Sequence, residues 1–311
     1  MTRKGMIWAA IAVGLMVTPA AAQSPPVTTV ASYPHGTFLE NMSVDAKGRL
    51  LFTSYLAQTL MTWNGRSAPS PLVKLDVHPV AVLARANDII VTAHGKPFTA
   101  GPAFTATNQL LVLSRSGAVT KRVAAPDALF LNGMVEIAPD VILAADSLAG
   151  KIWRFNPVAG TVEPWLVDPL LGADPAAPSQ RPGANGLKLH DGWLYISNSA
   201  RGTLHRVRLS GTSPMGALEL FATTGPIDDF TFLADGSIAA ATHGARLIRI
   251  MPDGASTDIL ASGCDACTSV ITFGRARDLI VLTTGNLLEG GTAPARVLRL
   301  ASPVPGRGAR P

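Results

Sequence analysis

Apolar residues in this chain come in short runs, and Gly, Pro, Asp and Asn interrupt them before any helical period is established. One order recurs in ENMSVDAKGRLLFTS, HPVAVLARANDIIVTAHG, NGMVEIAPDVILAADS, NGLKLHDGWLYISNS, DDFTFLADGSIAAATHG and TSVITFGRARDLIVLTT. A polar residue opens each segment, and a strand, a tight turn and a second strand follow. The opening residues are Glu40, His78, Asn132, Asn185, Asp228 and Thr268, roughly 38–54 residues apart, with the wider gaps holding insertions at 97–107 and 168–184. Third strands are predicted at Thr59–Trp63, Leu110–Arg115, Lys151–Asn156, Thr203–Leu209, Arg246–Met251 and Arg296–Ala301. Outer strands are predicted at Pro71–Leu75, Val119–Ala124, Val162–Val167, Leu218–Ala222 and Thr257–Ala261. The sixth repeat has no outer strand of its own, and Val27–Tyr33 has the pattern to supply one, which would hide the edges an open sheet exposes. The fold predicted is all-β: a six-bladed β-propeller of four-stranded antiparallel blades around a central channel, closed by the N-terminal strand.

Composition changes this picture at the ends. Thr2-Arg3-Lys4, the apolar run Met6–Val17 and Ala20-Ala21-Ala22 form a secretory signal over residues 1–22. One propeller domain is expected over 23–302 and a flexible tail over 303–311. The mature chain is expected to be exported, periplasmic or secreted, with no membrane span, since no later run approaches the ~20 apolar residues a span needs. Without Arg3 and Lys4, 24 basic residues face 21 acidic ones, scattered without an aromatic-lined basic face, so no nucleic-acid partner is expected. Cys264 and Cys267 are the only cysteines; with no second pair for zinc, a local disulfide pinning a loop is the expectation.

Candidate chemistry follows from the register. In a propeller the first strands line the channel and start at one face, so the six opening residues form a ring. Glu40, Asn132, Asn185 and Asp228 make that ring an oxygen-rich cage suited to Ca2+, with Mg2+, Mn2+ or Zn2+ as the divalent alternatives. Asp229 reads either as a further ligand or as a solvated neighbour. Counting outward from each turn pairs His78 with His94 and Asp228 with His243, and brings Tyr55 near Glu40, Ser147 near Asn132 and Asn198 near Asn185. Asn132-Gly133 and Asn185-Gly186 also fit plain hairpin turns, and His78 before Pro79 also fits a packed channel histidine. The sequence has no Gly-x-Ser-x-Gly elbow, no His-Glu-x-x-His, no phosphate-cradling loop and no dinucleotide fingerprint.

From about Ala31 to Leu300, and most strongly in LENMSVDAKGRLLFTS, NGMVEIAPDVILAADSLAGKIWRF, GANGLKLHDGWLYISNS and IDDFTFLADG, the chain resembles the gluconolactonase / senescence-marker-protein superfamily of six-bladed propellers. That resemblance implies a catalytic Ca2+ held by Glu40, Asn132, Asn185 and Asp228. Similarity to the paraoxonases implies Asp229 as a further ligand, His78 and His94 as a water-activating pair, and His243 on the channel wall. Sugar lactonases carry an arginine two residues before the asparagine matching Asn132; here that place is Phe130, which shifts the expected substrate towards apolar character. No second, structural Ca2+ is expected, because Asn41 and Gly133 replace its acidic ligands.

The function expected is therefore a Ca2+-dependent lactonase or esterase acting on a small, partly apolar molecule. The insertions at Pro97–Thr107 and Asp168–Ala184 and the loop Asn286–Pro294 are expected to wall its pocket, with Phe98, Phe104, Leu170 and Leu171 at an apolar mouth. A non-hydrolytic isomerase or condensing enzyme and a binding propeller without chemistry are the alternatives. Oligomeric state is left open.

Overall fold

The computed structural model describes residues 25–173 and 181–304; the segment 1–22 expected to be a signal, most of the expected C-terminal tail and the side chains of Pro102 and Phe104 lie outside the described residues. Six four-stranded antiparallel sheets are arranged in chain order. Their innermost strands are Leu39–Val44, His78–Ala84, Leu131–Ala138, Ala184–His190, Phe230–Phe232 and Cys267–Phe273, which define blades 1 to 6. The last blade is completed by Val27–Tyr33, paired antiparallel with Ala295–Leu300. The six-bladed propeller and its closure by the N-terminal strand are thus as the repeats predict.

The apolar cores lie between neighbouring blades. Leu51 and Leu60 of blade 1 cluster with Val82, Val91 and Leu111 of blade 2, and Leu143 and Ile152 of blade 3 with Leu187 and Ile196 of blade 4. Second strands are covered on both faces, so Leu50–Ser54 is buried throughout instead of alternating. Each aliphatic side chain fully removed from water contributes about 1.5–3 kcal/mol. Because these clusters hold the blades side by side, the axis is left free for polar groups.

A bulge at the start of the innermost strand directs those polar groups inward. In blade 1, Leu39 pairs with Ser54 and Met42 with Phe52, so Glu40 and Asn41 together oppose Thr53. Asn132-Gly133 oppose Ala145, and Asn185-Gly186 oppose Ser197, by the same shift. In blade 5, Asp228 N–H donates to Ala241 O and Ala241 N–H to Asp229 O, again setting two residues against one. A bulge re-aims a side chain and leaves ladder groups unpaired. Second-strand hydroxyls pair them: Thr53 Oγ1 accepts from Asn41 N–H at 3.1 Å and donates to Val80 O of the next blade at 2.7 Å. Thr92 repeats this between Ala81 N–H and Asn132 O, and Ser197 between Gly186 N–H and Asp228 O. The carbonyls of Val80, Asn132 and Asp228 are thereby each held by the blade before.

Asn132-Gly133 and Asn185-Gly186 lie in strands and are not hairpin turns. Glycine is required there by close approach: a Cβ on Gly133 would stand 2.5 Å from Asn185 O, and one on Gly186 2.9 Å from Asp228 O. In blade 2 the two residues facing one are Val80 and Ala81, opposite Thr92. The ring position is therefore Val80, and His78 lies two residues before it. The sequence register misplaces this blade because Val80, at its ring position, is apolar and His78 is the nearest polar residue before it.

Candidate metal and active site

A cavity of about 270 Å3 opens at the ring end of the channel. Its floor holds Glu40, Asn132, Asn185, Asp228 and His243, from blades 1, 3, 4 and 5. Phe98, Pro182 and Leu288, one from each of the three loops expected to wall it, stand around that floor, joined by Phe38, Tyr55 and Phe130. Leu148, from the loop after the second strand of blade 3, also lines it and was not foreseen. Thr268, the sixth ring residue, instead turns its hydroxyl to Leu39 O at 2.8 Å, joining blade 6 to blade 1.

Hydrogen bonds fix how the two asparagines are turned. Ser147 Oγ donates to Ala184 O at 2.6 Å and so accepts from Asn132 Nδ2 at 3.2 Å. Ser199 Oγ donates to Ile227 O at 2.7 Å and accepts from Asn185 Nδ2 at 3.0 Å. The amide oxygens are then what these side chains offer to a ligand. The partner of Asn185 is Ser199, where counting from the turn gives Asn198; the bulge between Ala184 and Leu187 shifts the register. Asn198 instead donates to Leu170 O and Gly172 O, fastening the 168–184 loop.

The acidic groups are loaded in a way that calls for positive charge. Glu40 Oε2 is buried and has no hydrogen-bond partner among the described residues. Burial, and then the negative charge of Asp229, push the Glu40 carboxyl up to about 8. Burial, then Glu40 and Asp229, raise Asp228 well above the ordinary carboxylate range, opposed by a hydrogen bond from Asn185 and by Lys188. Asp229 differs. One of its oxygens is ion-paired with Lys188, and the other accepts from Asn41 Nδ2 at 3.0 Å and Ser269 Oγ at 2.8 Å. Asp229, which the resemblance implied as a further ligand, is thus braced by Lys188, Asn41 and Ser269. Among the described residues no group of three His, Cys, Asp or Glu gathers as a metal site, so the candidate set depends on its two asparagines.

The histidines separate. His78 and His94 are cross-strand partners, as the turn arithmetic predicts, but neither lines the cavity. Both rings pack on Tyr55, which does, and Phe130 stands against His94 at 4.7 Å between ring centres. Leu131 O can only accept, so His94 Nε2 donates to it at 3.1 Å and Nδ1 accepts from Tyr55 O–H at 2.9 Å. Tyr55 Oη in turn accepts from Phe98 N–H at 2.8 Å. Burial depresses His94 to about 4. Both ring nitrogens of His94 are thus hydrogen-bonded, and His78 itself donates from Nδ1 to Tyr55 O at 3.0 Å. The histidine pair implied by the resemblance therefore sits behind Tyr55 and off the cavity lining.

His243 is the histidine on the cavity. The hydroxyl of Ser199 is already donated to Ile227 O, so His243 Nε2–H donates to Ser199 Oγ at 3.1 Å. That leaves Nδ1 as an acceptor 3.4 Å from Asp228 Oδ2. Burial, reinforced by Arg181, holds its pKa down at about 4, so the ring is neutral near pH 7.

No family model and no curated protein matches the chain. Solved structures do. A gluconolactonase from Xanthomonas campestris superposes with a TM-score of 0.63 at 13 % identity, over 88 % of this chain and 89 % of that one. Regucalcin, a calcium-binding protein from Agrobacterium tumefaciens strain C58, gives 0.64 at 14 %, over 90 % and 96 %. Virginiamycin B lyase from Staphylococcus aureus gives 0.57 at 15 %, over 82 % and 81 %. At such identities the likeness is one of fold, a six-bladed propeller shared with gluconolactonase- and regucalcin-like proteins.

Proposed function

We propose that the chain is a divalent-cation-dependent hydrolase, Ca2+ being the cation its donor set fits, that opens lactones or esters bearing a partly apolar substituent. The observation that carries this reading is the floor itself: two buried carboxylates, one with an oxygen unpartnered among the described residues, and two amides turned to offer oxygen, gathered under one aromatic-walled cavity. Uncompensated carboxylates are costly to bury, and a hard cation with an all-oxygen shell offsets that cost. Glu40, Asn132, Asn185 and Asp228 would hold the ion. When bound, it would supply Lewis-acid polarisation of a carbonyl and charge for the developing oxyanion.

The chain's own residues do the rest. Phe98, Phe130 and Leu288 exclude water around the acyl group and orient its apolar part. His243 Nδ1 takes the proton of the attacking water, because its other nitrogen is committed to Ser199. Asp228, alongside it, stabilises the imidazolium that results. Export rests on the signal sequence in residues 1–22 and belongs to the same proposal. The test is a chelated sample assayed against lactones and aryl esters, with and without added Ca2+. Ring opening restored by the cation supports the reading. Cation binding without turnover on any member refutes hydrolysis and favours a lyase, isomerase or binding propeller.

A further inference from the structure

The loop Gly263–Cys267 stands between two walls of the cavity and touches both through its backbone. On one side, Cys264 N–H donates to Ala245 O at 3.1 Å and Cys267 N–H to Gly244 O at 3.4 Å, the two residues that follow His243. On the other, Ala266 O accepts from Thr284 N–H and Asp265 O from Asn286 N–H, each at 3.1 Å. Asn286 leads directly into Leu287–Glu289, the short helix that carries Leu288 to the pocket. The Arg296 guanidinium adds a bond to Gly263 O at 3.0 Å and an ion pair with Asp265. The loop's N–H groups thus face the His243 hairpin and its carbonyls face the Leu288 wall.

That division depends on an unfavourable backbone. Asp265 and Ala266 are consecutive non-glycine residues at φ 47° and 58°, in the left-handed region that L-residues avoid. Such a pair persists only where its ends are held. They are held here: Cys264 and Cys267, both fully buried, are joined by a disulfide with Cα atoms 5.3 Å apart.

We propose that the Cys264–Cys267 disulfide is a positioning element of the site, keeping His243 Nδ1 and the Leu288 wall in register with each other; its catalytic part rests on the reading of this cavity as a hydrolase site. The four candidate ligands lie on other segments. Cleavage is therefore expected to separate catalysis from cation binding.

The experiment compares the oxidised protein with Cys264→Ser/Cys267→Ser and with wild-type protein reduced by a small dithiol. In the latter, the dithiol gives up two electrons and two protons and closes to its cyclic disulfide, while Cys264 and Cys267 become two thiols. Both cleaved forms are expected to show kcat lower by about 10–100-fold, a raised KM for esters with apolar acyl groups, and unchanged Ca2+ affinity. Reoxidation is expected to restore the reduced wild type. In 15N spectra of the histidine rings, the single Nε2–H tautomer of His243 is expected to give way to averaged signals. A folded, cleaved protein with unchanged kinetics and an unchanged His243 spectrum overturns the proposal. So does global unfolding on cleavage, which would make the bond a matter of fold stability alone. If the oxidised protein hydrolyses nothing, the hydrolase reading fails, and the His243 spectrum still decides whether the disulfide positions the ring.

Discussion

Glu40→Gln is expected to make the cation-free protein more stable while removing its cation site. The magnitude follows from the carboxyl's surroundings: burial and Asp229 raise it from 4.5 to about 8. A carboxyl raised in the folded state contributes full stability below its unfolded pKa, and that contribution is lost as pH rises through the folded one. At pH 7 the folded protein holds a proton that the unfolded chain has released, and at about 1.4 kcal/mol per decade this costs roughly 3 kcal/mol against a neutral amide of the same shape. At pH 5 the same arithmetic leaves less than about 1 kcal/mol. With about 2–4 °C of Tm per kcal/mol, the variant should melt about 6–12 °C above wild type at pH 7 in chelator, and the gap should close towards pH 5. Added Ca2+ should raise the wild-type Tm and leave the variant's unchanged. The assay is a thermal melt over a pH series with and without chelator. A variant that melts lower than wild type, a gap that ignores pH, or a Ca2+ response that survives would refute the reasoning.

Other expectations concern the groups around that carboxylate. His243→Gln should cut kcat by about 10²–10⁴ with Ca2+ affinity kept, whereas His78→Gln should change it little, since only His243 lines the cavity; steady-state kinetics beside calorimetric Ca2+ titration separate the two. Lys188→Met leaves the buried carboxylate of Asp229 without its ion pair and should destabilise by about 3–5 kcal/mol in urea, most of it recovered by adding Asp229→Asn. Tyr55→Phe removes the hydroxyl shared by His94 Nδ1 and Phe98 N–H, which should cost about 1–3 kcal/mol and speed hydrogen exchange at the Phe98 amide, read by NMR.

What the sequence makes legible and what it hides have separate physical origins. The ring residues Glu40, Asn132, Asn185 and Asp228 are visible because each opens a local strand–turn–strand unit, and the same unit recurs. Closure by Val27–Tyr33 is visible because the sixth repeat lacks a partner for its edge. The bulges are hidden: an extra residue at the strand start alters no hydrophobic pattern, yet it moves the blade 2 ring position to Val80 and replaces Asn198 by Ser199 beside Asn185. Hydroxyls such as Thr53 and Ser197 carry that signal, since each completes a bulge and reaches the next blade. Inter-blade partners are hidden as well. Nothing local to Lys188 announces Asp229, and nothing near His94 announces that Tyr55 and Leu131 will occupy both of its nitrogens.

The central claim is that four oxygen-bearing side chains from four blades share one ion. A crystal structure of the protein grown with Ca2+, with anomalous scattering used to place the ion, tests it most directly. The account predicts a single peak on the axis with Glu40, Asn132, Asn185 and Asp228 oxygens at about 2.3–2.6 Å. An empty floor at saturating Ca2+, or an ion held elsewhere, would contradict it.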